Sequence, residues 1–305
     1  MVEEEKTLEK KYPLVTICIP SYNHSAYIQD CIRSVIQQDY EYIELIIIDD
    51  GSKDGSLEKI YALKAECIKR FKRFEIRSRE NKGLCATLNE GLEWANGFYF
   101  SPIASDDILL SHKTSYLVKK QKETNAVVVF GSVERIDENN NSLGVIIRKG
   151  EHCFEDMFLL KEMPLAPASL MIRNVIKEIG GFAEDVKLED LYMWLCLTND
   201  GKKLISYPEI VAQYRDHESN TVKDKLGMYT SRLEVLNLFS SKGDLYRKAI
   251  KENSLLAANA LATKQFYLPL KMLIEGFEFS LRVLLILLKI FTPKFLIIYL
   301  KNKIK

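Results

Sequence analysis

The run Ile46-Ile47-Ile48-Asp49-Asp50-Gly51-Ser52 carries an apolar stretch straight into two acids. Three β-branched residues in a row predict a buried parallel strand, and ligands of open α/β sheets meet the carboxyl ends of such strands. Asp49 is therefore the first candidate for a binding carboxylate; the alternative is that Asp49 and Asp50 only close a turn. A second acid pair, Asp106-Asp107, follows another apolar run through Ala104-Ser105. A third, Glu189-Asp190, opens the apolar segment Leu191-Tyr192-Met193-Trp194-Leu195 and so sits at the positive end of a predicted helix dipole. Acids in that position are also ordinary capping residues.

Strand, loop and helix must repeat along the chain to position these acids. Residues 14–19 read as a first buried strand ending at Pro20, followed by the polar loop Ser21-Tyr22-Asn23-His24-Ser25 and a helix over 26–38. The second repeat is the 44–49 strand and a helix over 56–70, its start marked by Asp-Gly-Ser turn and cap chemistry. The third is a strand over 74–78 and a helix over 84–95, closed by Asn96-Gly97. A fourth strand over 98–103 delivers Asp106 and Asp107. This alternation predicts an α/β, doubly wound, mostly parallel sheet with right-handed crossovers. Beyond residue 126 the period is mixed, with strands at 127–131 and 168–172 and a hairpin loop at 137–141. No glycine-rich dinucleotide fingerprint follows the first strand, which argues against a nicotinamide or flavin enzyme, and no Walker-type Gly-Lys-Ser/Thr is present. A nucleotidyltransferase on the same sheet would need a glycine-rich loop where this chain has Pro20-Ser21-Tyr22-Asn23.

Composition fits a globular protein, with 305 residues, 47% hydrophobic and 28% charged. The net charge of +1 is uneven: residues 264–305 carry +6 and the remainder −5. Six cysteines show no C-x-x-C pair and no metal-site spacing, and Cys18 lies in a strand pattern as a small apolar residue. A reduced, cytoplasmic setting is expected. The acidic start Met-Val-Glu-Glu-Glu-Lys has no apolar core of a secretory signal.

Taken in order and spacing, several motifs resemble the large inverting glycosyltransferase family 2, whose catalytic domain has the GT-A fold. They are Val15-Thr16-Ile17-Cys18-Ile19-Pro20-Ser21-Tyr22-Asn23, Asp49-Asp50-Gly51-Ser52, Asn81-Lys82-Gly83 with Asn89-Glu90-Gly91, Ser105-Asp106-Asp107, Gly180-Gly181-Phe182 with Glu189-Asp190, and Tyr214-Arg215-Asp216-His217. The likeness covers about residues 13–220. It implies a nucleotide site lined by Pro20, Ser21, Tyr22, Asn81, Gly83 and Asp106, with Asp49 accepting from the N3–H of uracil or thymine. It also implies that Asp106, with His217, holds Mg2+ or Mn2+ on the donor diphosphate, and that Arg215 helps hold phosphate charge. Asp190 is implied as catalytic base and Glu189 as a holder of the acceptor or its loop. Trp194 is either a platform for an acceptor sugar or a core residue. One departure stands out: the first acid of the family's Asp-x-Asp falls on Ala104, with Asp107 as the available substitute.

The expected organisation is an N-terminal tail (1–12), a GT-A domain (13–222) and a basic helical region (223–305). In the last, Val283-Leu284-Leu285-Ile286-Leu287-Leu288 is far shorter than the ~20 residues of a bilayer span. With Phe291, Phe295, Leu296, Ile297, Ile298, Tyr299 and Leu300 among Lys289, Lys294, Lys301, Lys303 and Lys305, it is expected to lie on the inner face of the cytoplasmic membrane. The alternative is packing on the GT-A domain or a second subunit. The expected activity is inverting transfer of a hexose, N-acetylhexosamine or rhamnose from a UDP- or dTDP-sugar to a lipid-linked saccharide of O-antigen, lipopolysaccharide or a related glycan. No nucleic acid is expected as partner, and self-association is left open. The competing expectation is a non-catalytic GT-A scaffold, favoured by Ala104 and opposed by Asp49, Asp106, Asp190 and His217. Loops over 132–167 are expected to choose the substrate.

Overall fold

The computed structural model describes residues 12–218, 220–262, 267–275 and 281–291. β1 (Val15–Ser21), α1 (Ile28–Ile36), β2 (Ile43–Asp49), α2 (Ser56–Ala62), α3 (Lys64–Arg70), β3 (Arg73–Ser78), α4 (Leu84–Trp94) and β4 (Tyr99–Pro102) form its first half. Every residue of β2 is buried, which is why its isoleucines run on without polar alternation. Ile17, Ile19, Leu45 and Ile47 pack on one side of the sheet with Ile32, Val35, Ile60 and Cys67 of the helices. Cys18 and Ile46 face the other side, where α4 comes so close that a Cβ on Gly91 would collide with Cys18 Sγ. Burial pushes the Cys18 thiol up, as a structural cysteine should behave.

β3, β2, β1 and β4 are consecutive and parallel, and the register sets Ser21 beside Asp49 and Asp49 beside Ser78 at the carboxyl edge. The predicted 56–70 helix is two helices, because Leu63 leaves the helical conformation. No glycine or proline marks that break.

The chain continues through β5 (Ile108–Leu109), α5 (Lys113–Lys122), β6 (Val128–Ile136), β7 (Ser142–Ile146), β8 (Gly150–His152), α6 (Phe154–Phe158), β9 (Ser169–Ile172), α7 (Arg173–Glu178), α8 (Glu189–Asn199) and β10 (Leu204–Arg215). Here the sheet becomes mixed: β9 is antiparallel to β4 and β6, whereas β10 is parallel to β6. Among the described residues the three longest strand registers, β6 with β10, β1 with β2 and β2 with β3, are all parallel. The segment 132–167, expected as loops, contains the end of β6, β7, β8 and α6. β10 bulges between Ser206 and Ile210, at Pro208-Glu209, then runs on to deliver Arg215 and His217.

Two compact units are present. The sheet unit comprises residues up to 154, 163–185 and 189–217; the second comprises 155–162, 186–188 and residues from 218 onward. In the second unit, α9 (Lys225–Asn237) begins at Asp224, whose carboxylate accepts from Gly227 N at 2.9 Å. α10 (Asp244–Leu261), α11 (Tyr267–Glu275) and α12 (Leu281–Phe291) share an apolar core made by Leu255, Ala258, Leu261, Met272, Leu273, Val283, Ile286 and Ile290. The i, i+3, i+7 face of α12 is thus used in packing. Leu284, Leu285, Leu288 and Phe291 remain exposed on the same helix. No helix among the described residues is long and apolar enough to cross a membrane. The expected lipid-facing residues from Lys294 to Lys305 lie outside the described residues, as does nearly all of the N-terminal tail.

Candidate active site

The carboxyl edge of β1 and β2 carries two unsatisfied polar groups side by side. Asp49 Oδ2 accepts from Ser52 N at 3.1 Å and Ser78 Oγ at 3.2 Å. Its Oδ1, though buried, has no hydrogen-bond partner among the described residues, and neither has Ser21 Oγ. A buried acceptor without a donor is unfavourable by about 1–3 kcal/mol, so this pair is suited to a ligand's donor. Pro20 leads into Tyr22, whose ring is 48% exposed at the same edge.

Asp50 does a different job. It accepts from Lys82 N at 2.8 Å and Gly83 N at 2.9 Å and pairs with Arg79, itself bound to Glu90 and Thr87. The Asn81-Lys82-Gly83 loop is thereby drawn under Gly51, where φ is +78° and a Cβ would stand 2.9 Å from Asn81 N. Asn81 is exposed beside this tie. Asn89 fixes a further motif: its amide donates to the Phe182 carbonyl at 2.8 Å and its oxygen accepts from Phe182 N at 2.8 Å.

The end of β4 and the end of β10 meet through Asp106, Asp107 and Arg215. Asp107 Oδ1 accepts from the Arg215 amide at 2.9 Å. Arg215 Nε donates to the Asp106 carbonyl at 2.8 Å and Nη1 to the Asp137 carbonyl at 3.0 Å, with the guanidinium over the Tyr27 ring. One expectation is corrected here. Arg215 is buried and committed to main-chain carbonyls, so it clamps the fold instead of holding phosphate. Asp107 gives one oxygen to that clamp, while its Oδ2 is buried without a hydrogen-bond partner among the described residues; burial, then the Asp106 charge, pushes its carboxyl well up.

The clamp brings His217 to Asp106, with Nε2 2.8 Å from Oδ2. His24, which the sequence left as a loop residue, completes the group: its Nδ1 lies 2.8 Å from Ser105 Oγ and 3.9 Å from Asp106 Oδ1. One ligand atom each from His24, Asp106 and His217 lies within 4.8 Å of the others. Asp106 Oδ1 is buried without a hydrogen-bond partner among the described residues. That oxygen and two imidazoles fit a divalent cation. The signal for His24 was there in its place, three residues past the strand end, but a lone histidine in a polar loop does not announce itself.

At the start of α8, burial first and the neighbouring Asp190 charge second push the Glu189 carboxyl up to about 8. Asp190 is also raised by burial, though the Leu191 amide, donating at 2.6 Å, opposes the shift. Burial first, and the Glu189 charge second, push up the Cys85 thiol at the start of α4. Trp194 is corrected as an acceptor platform. It is 2% exposed, with its ring edge-on to Phe130 at 5.0 Å, so it is core.

The profile described as Glycosyl transferase family 2 matches residues 16–179, more than half of the chain. The chain belongs to glycosyl transferase family 2. This family 2 chain is 34% identical over 149 residues to an uncharacterized glycosyltransferase of Rickettsia felis, a match covering 48% of the chain and 24% of that protein. It is 30% identical over 151 residues to glycosyltransferase GlyG of Streptococcus pneumoniae, covering 49% of each. The chain thus spans about a quarter to a half of the length of these relatives. To UDP-Glc:alpha-D-GlcNAc-diphosphoundecaprenol beta-1,3-glucosyltransferase WfgD of Escherichia coli it is 26% identical over 227 residues, 74% of the chain and 86% of that enzyme. Among solved structures, mannosyltransferase PcManGT of Pyrobaculum calidifontis, in complex with GDP-Man and Mn2+, superposes with a TM-score of 0.63 at 16% identity, covering 87% of the chain and 79% of its own. TarS 1–349 of S. aureus in complex with UDP-GlcNAc gives 0.59 at 16% identity, covering 83% and 73%. The fold is GT-A.

Proposed function

We propose that the protein transfers one sugar, with inversion, from a UDP- or dTDP-sugar to a lipid-linked saccharide acceptor in surface-glycan assembly. The observation that carries this reading is the unpartnered Asp49 Oδ1 beside Ser21 Oγ, a donor-seeking oxygen at the strand edge where a base would lie. The N3–H of uracil or thymine would satisfy it, and Tyr22 would offer its exposed ring to the base. Asn81 and Gly83 flank the same edge on the loop held by Asp50.

Asp106 and His217 would hold a divalent cation, Mg2+ or Mn2+, whose chemistry when bound is to offset charge on the departing diphosphate. Asp190 takes the proton of the acceptor hydroxyl as its oxygen bonds to the anomeric carbon, and the bond from that carbon to the diphosphate oxygen breaks on the opposite face. A carboxylate is a weak base for a free alcohol; proton transfer works because it is coupled to bond formation at fixed geometry. Glu189, with its pKa at about 8, is protonated at pH 7 and can donate to an acceptor oxygen.

The name of WfgD specifies a diphosphoundecaprenol-linked acceptor and UDP-Glc as donor, which supports the lipid-linked acceptor class proposed here. The exposed Leu284, Leu285, Leu288 and Phe291, together with the basic sequence that follows, support peripheral attachment to the inner face of the cytoplasmic membrane. The competing scaffold reading draws on the exposed Ala104 alone. Asp190→Asn separates the two: transfer from a panel of UDP- and dTDP-sugars to polyprenyl-diphosphate saccharides should fall by about 10³-fold or more, with nucleotide binding intact. Equal turnover in the variant removes Asp190 from the base role, and no turnover in the wild type with any pair favours the scaffold.

A further inference from the structure

Ala104 stands where the resembled motif has its first acid, exposed in the loop between β4 and β5. What approaches the unpartnered Oδ1 of Asp106 is an imidazole. His24 Nδ1 lies 3.9 Å from that oxygen, while His217 Nε2 lies 2.8 Å from Oδ2 on the other side of the carboxylate. A metal with bonds of about 2.1 Å spaces adjacent ligands about 3 Å apart and opposite ones about 4.2 Å. All three ligand atoms lie inside 4.8 Å of one another, and His24 Nδ1 would exchange its Ser105 Oγ contact for the ion. The His24 main chain is fixed independently of its ring. Its amide donates to Ser56 Oγ at 3.0 Å, and its carbonyl accepts from the amides of Tyr27 and Ile28 at 2.9 Å each.

We infer that His24 takes the place of the missing first carboxylate, so that His24, Asp106 and His217 form a two-imidazole, one-carboxylate site that selects a first-row transition-metal dication such as Mn2+ or Co2+ over Mg2+. Imidazole nitrogen is a borderline donor suited to these ions, whereas Mg2+ favours oxygen ligands and retains water. Three protein ligands leave other coordination positions for diphosphate oxygens. That use of the open positions rests on the proposed donor site; the selectivity itself does not need a nucleotide.

The test is calorimetric titration of the full chain with MnCl2, CoCl2 and MgCl2 in the absence of nucleotide, with Co2+ absorption in the visible as a second readout. Mn2+ and Co2+ should bind at least tenfold more tightly than Mg2+. His24→Ala and the better size-matched His24→Gln should each weaken Mn2+ binding at least tenfold and alter the Co2+ spectrum, with UDP binding in EDTA unchanged. Ala104→Asp in the His24→Ala background should bring Mg2+ binding to within a few-fold of Mn2+. Equal affinity of the wild type for Mg2+ and Mn2+, or unaltered Mn2+ affinity in both His24 variants at an unchanged melting temperature, overturns the inference. Selective metal binding with no response to any nucleotide upholds it while removing the sugar-transfer reading; nucleotide binding with His24-independent metal binding does the reverse.

Discussion

Replacing Glu189 by glutamine tests whether the acid pair at the start of α8 divides its labour. In the structure the two carboxyls share one partly buried corner, where burial raises both and the Leu191 amide opposes the shift on Asp190. Glu189, raised to about 8 by burial and by Asp190, keeps its proton at pH 7. Raising the pH from 7 to 9 then strips that proton, and kcat/KM should fall by about tenfold, the ratio of protonated fractions for a pKa near 8. Glutamine keeps a donor and cannot ionise. The variant should hold its rate level between pH 7 and 9, and any residual fall belongs to another group. Stability gives an independent reading of the same shift. An unfolded glutamate ionises near pH 4.3, so between about 4.3 and 8 rising pH favours the unfolded chain, by up to about 1.4 kcal/mol per unit. Discounted for the side chain's partial exposure, Glu189→Gln should stabilise the protein by about 1–2 kcal/mol at pH 7 and by nothing at pH 4. Calorimetry at both pH values and initial rates across the range measure it. A wild-type rate that is flat from pH 7 to 9, or a variant that falls as steeply, refutes the division of roles.

Gly91→Ala should destabilise the fold by about 1–3 kcal/mol in chemical denaturation, because the added methyl meets Cys18 Sγ. Adding Cys18→Ala should recover part of that loss, and strict additivity of the two changes would show that they do not touch. Leu284→Glu with Leu285→Glu should weaken binding to vesicles containing anionic lipid at least tenfold without moving the melting temperature, since both side chains are exposed on α12. Unchanged binding would assign that face another partner.

The first half of the sheet was legible because its signals are strong and local: unbroken β-branched strands, Asp-Gly-Ser turns, and helices between them. The second half hid for identifiable reasons. Gly131 reads as a strand end, yet β6 runs through it to Ile136, and the glycine is there because Val211 of β10 packs where a Cβ would go. Pro208-Glu209 conceals β10, whose bulge accommodates them. At the site, Asp49, Asp106, Glu189, Asp190 and His217 stand at strand or helix ends, as their spacing suggested. Sequence could not say that Asp50 and Arg215 are consumed in holding loops, since a carboxylate or guanidinium looks the same whether it meets a ligand or a backbone amide or carbonyl. Nor could it say that Trp194 points its bulk into the core, or that the β1 loop brings His24 to Asp106.

The central claim, a pyrimidine nucleoside-diphosphate site at the edge of β1 and β2, is tested most directly by thermal shift. The full chain and its Asp49→Ala variant are melted with UDP, dTDP, GDP and CDP, each with MnCl2 and with EDTA. Ligands that bind only the native state raise the melting temperature. UDP and dTDP should raise it more than GDP or CDP, more with MnCl2 than with EDTA, and the preference should vanish in Asp49→Ala. A preference for GDP, or no shift with any nucleotide, contradicts the account.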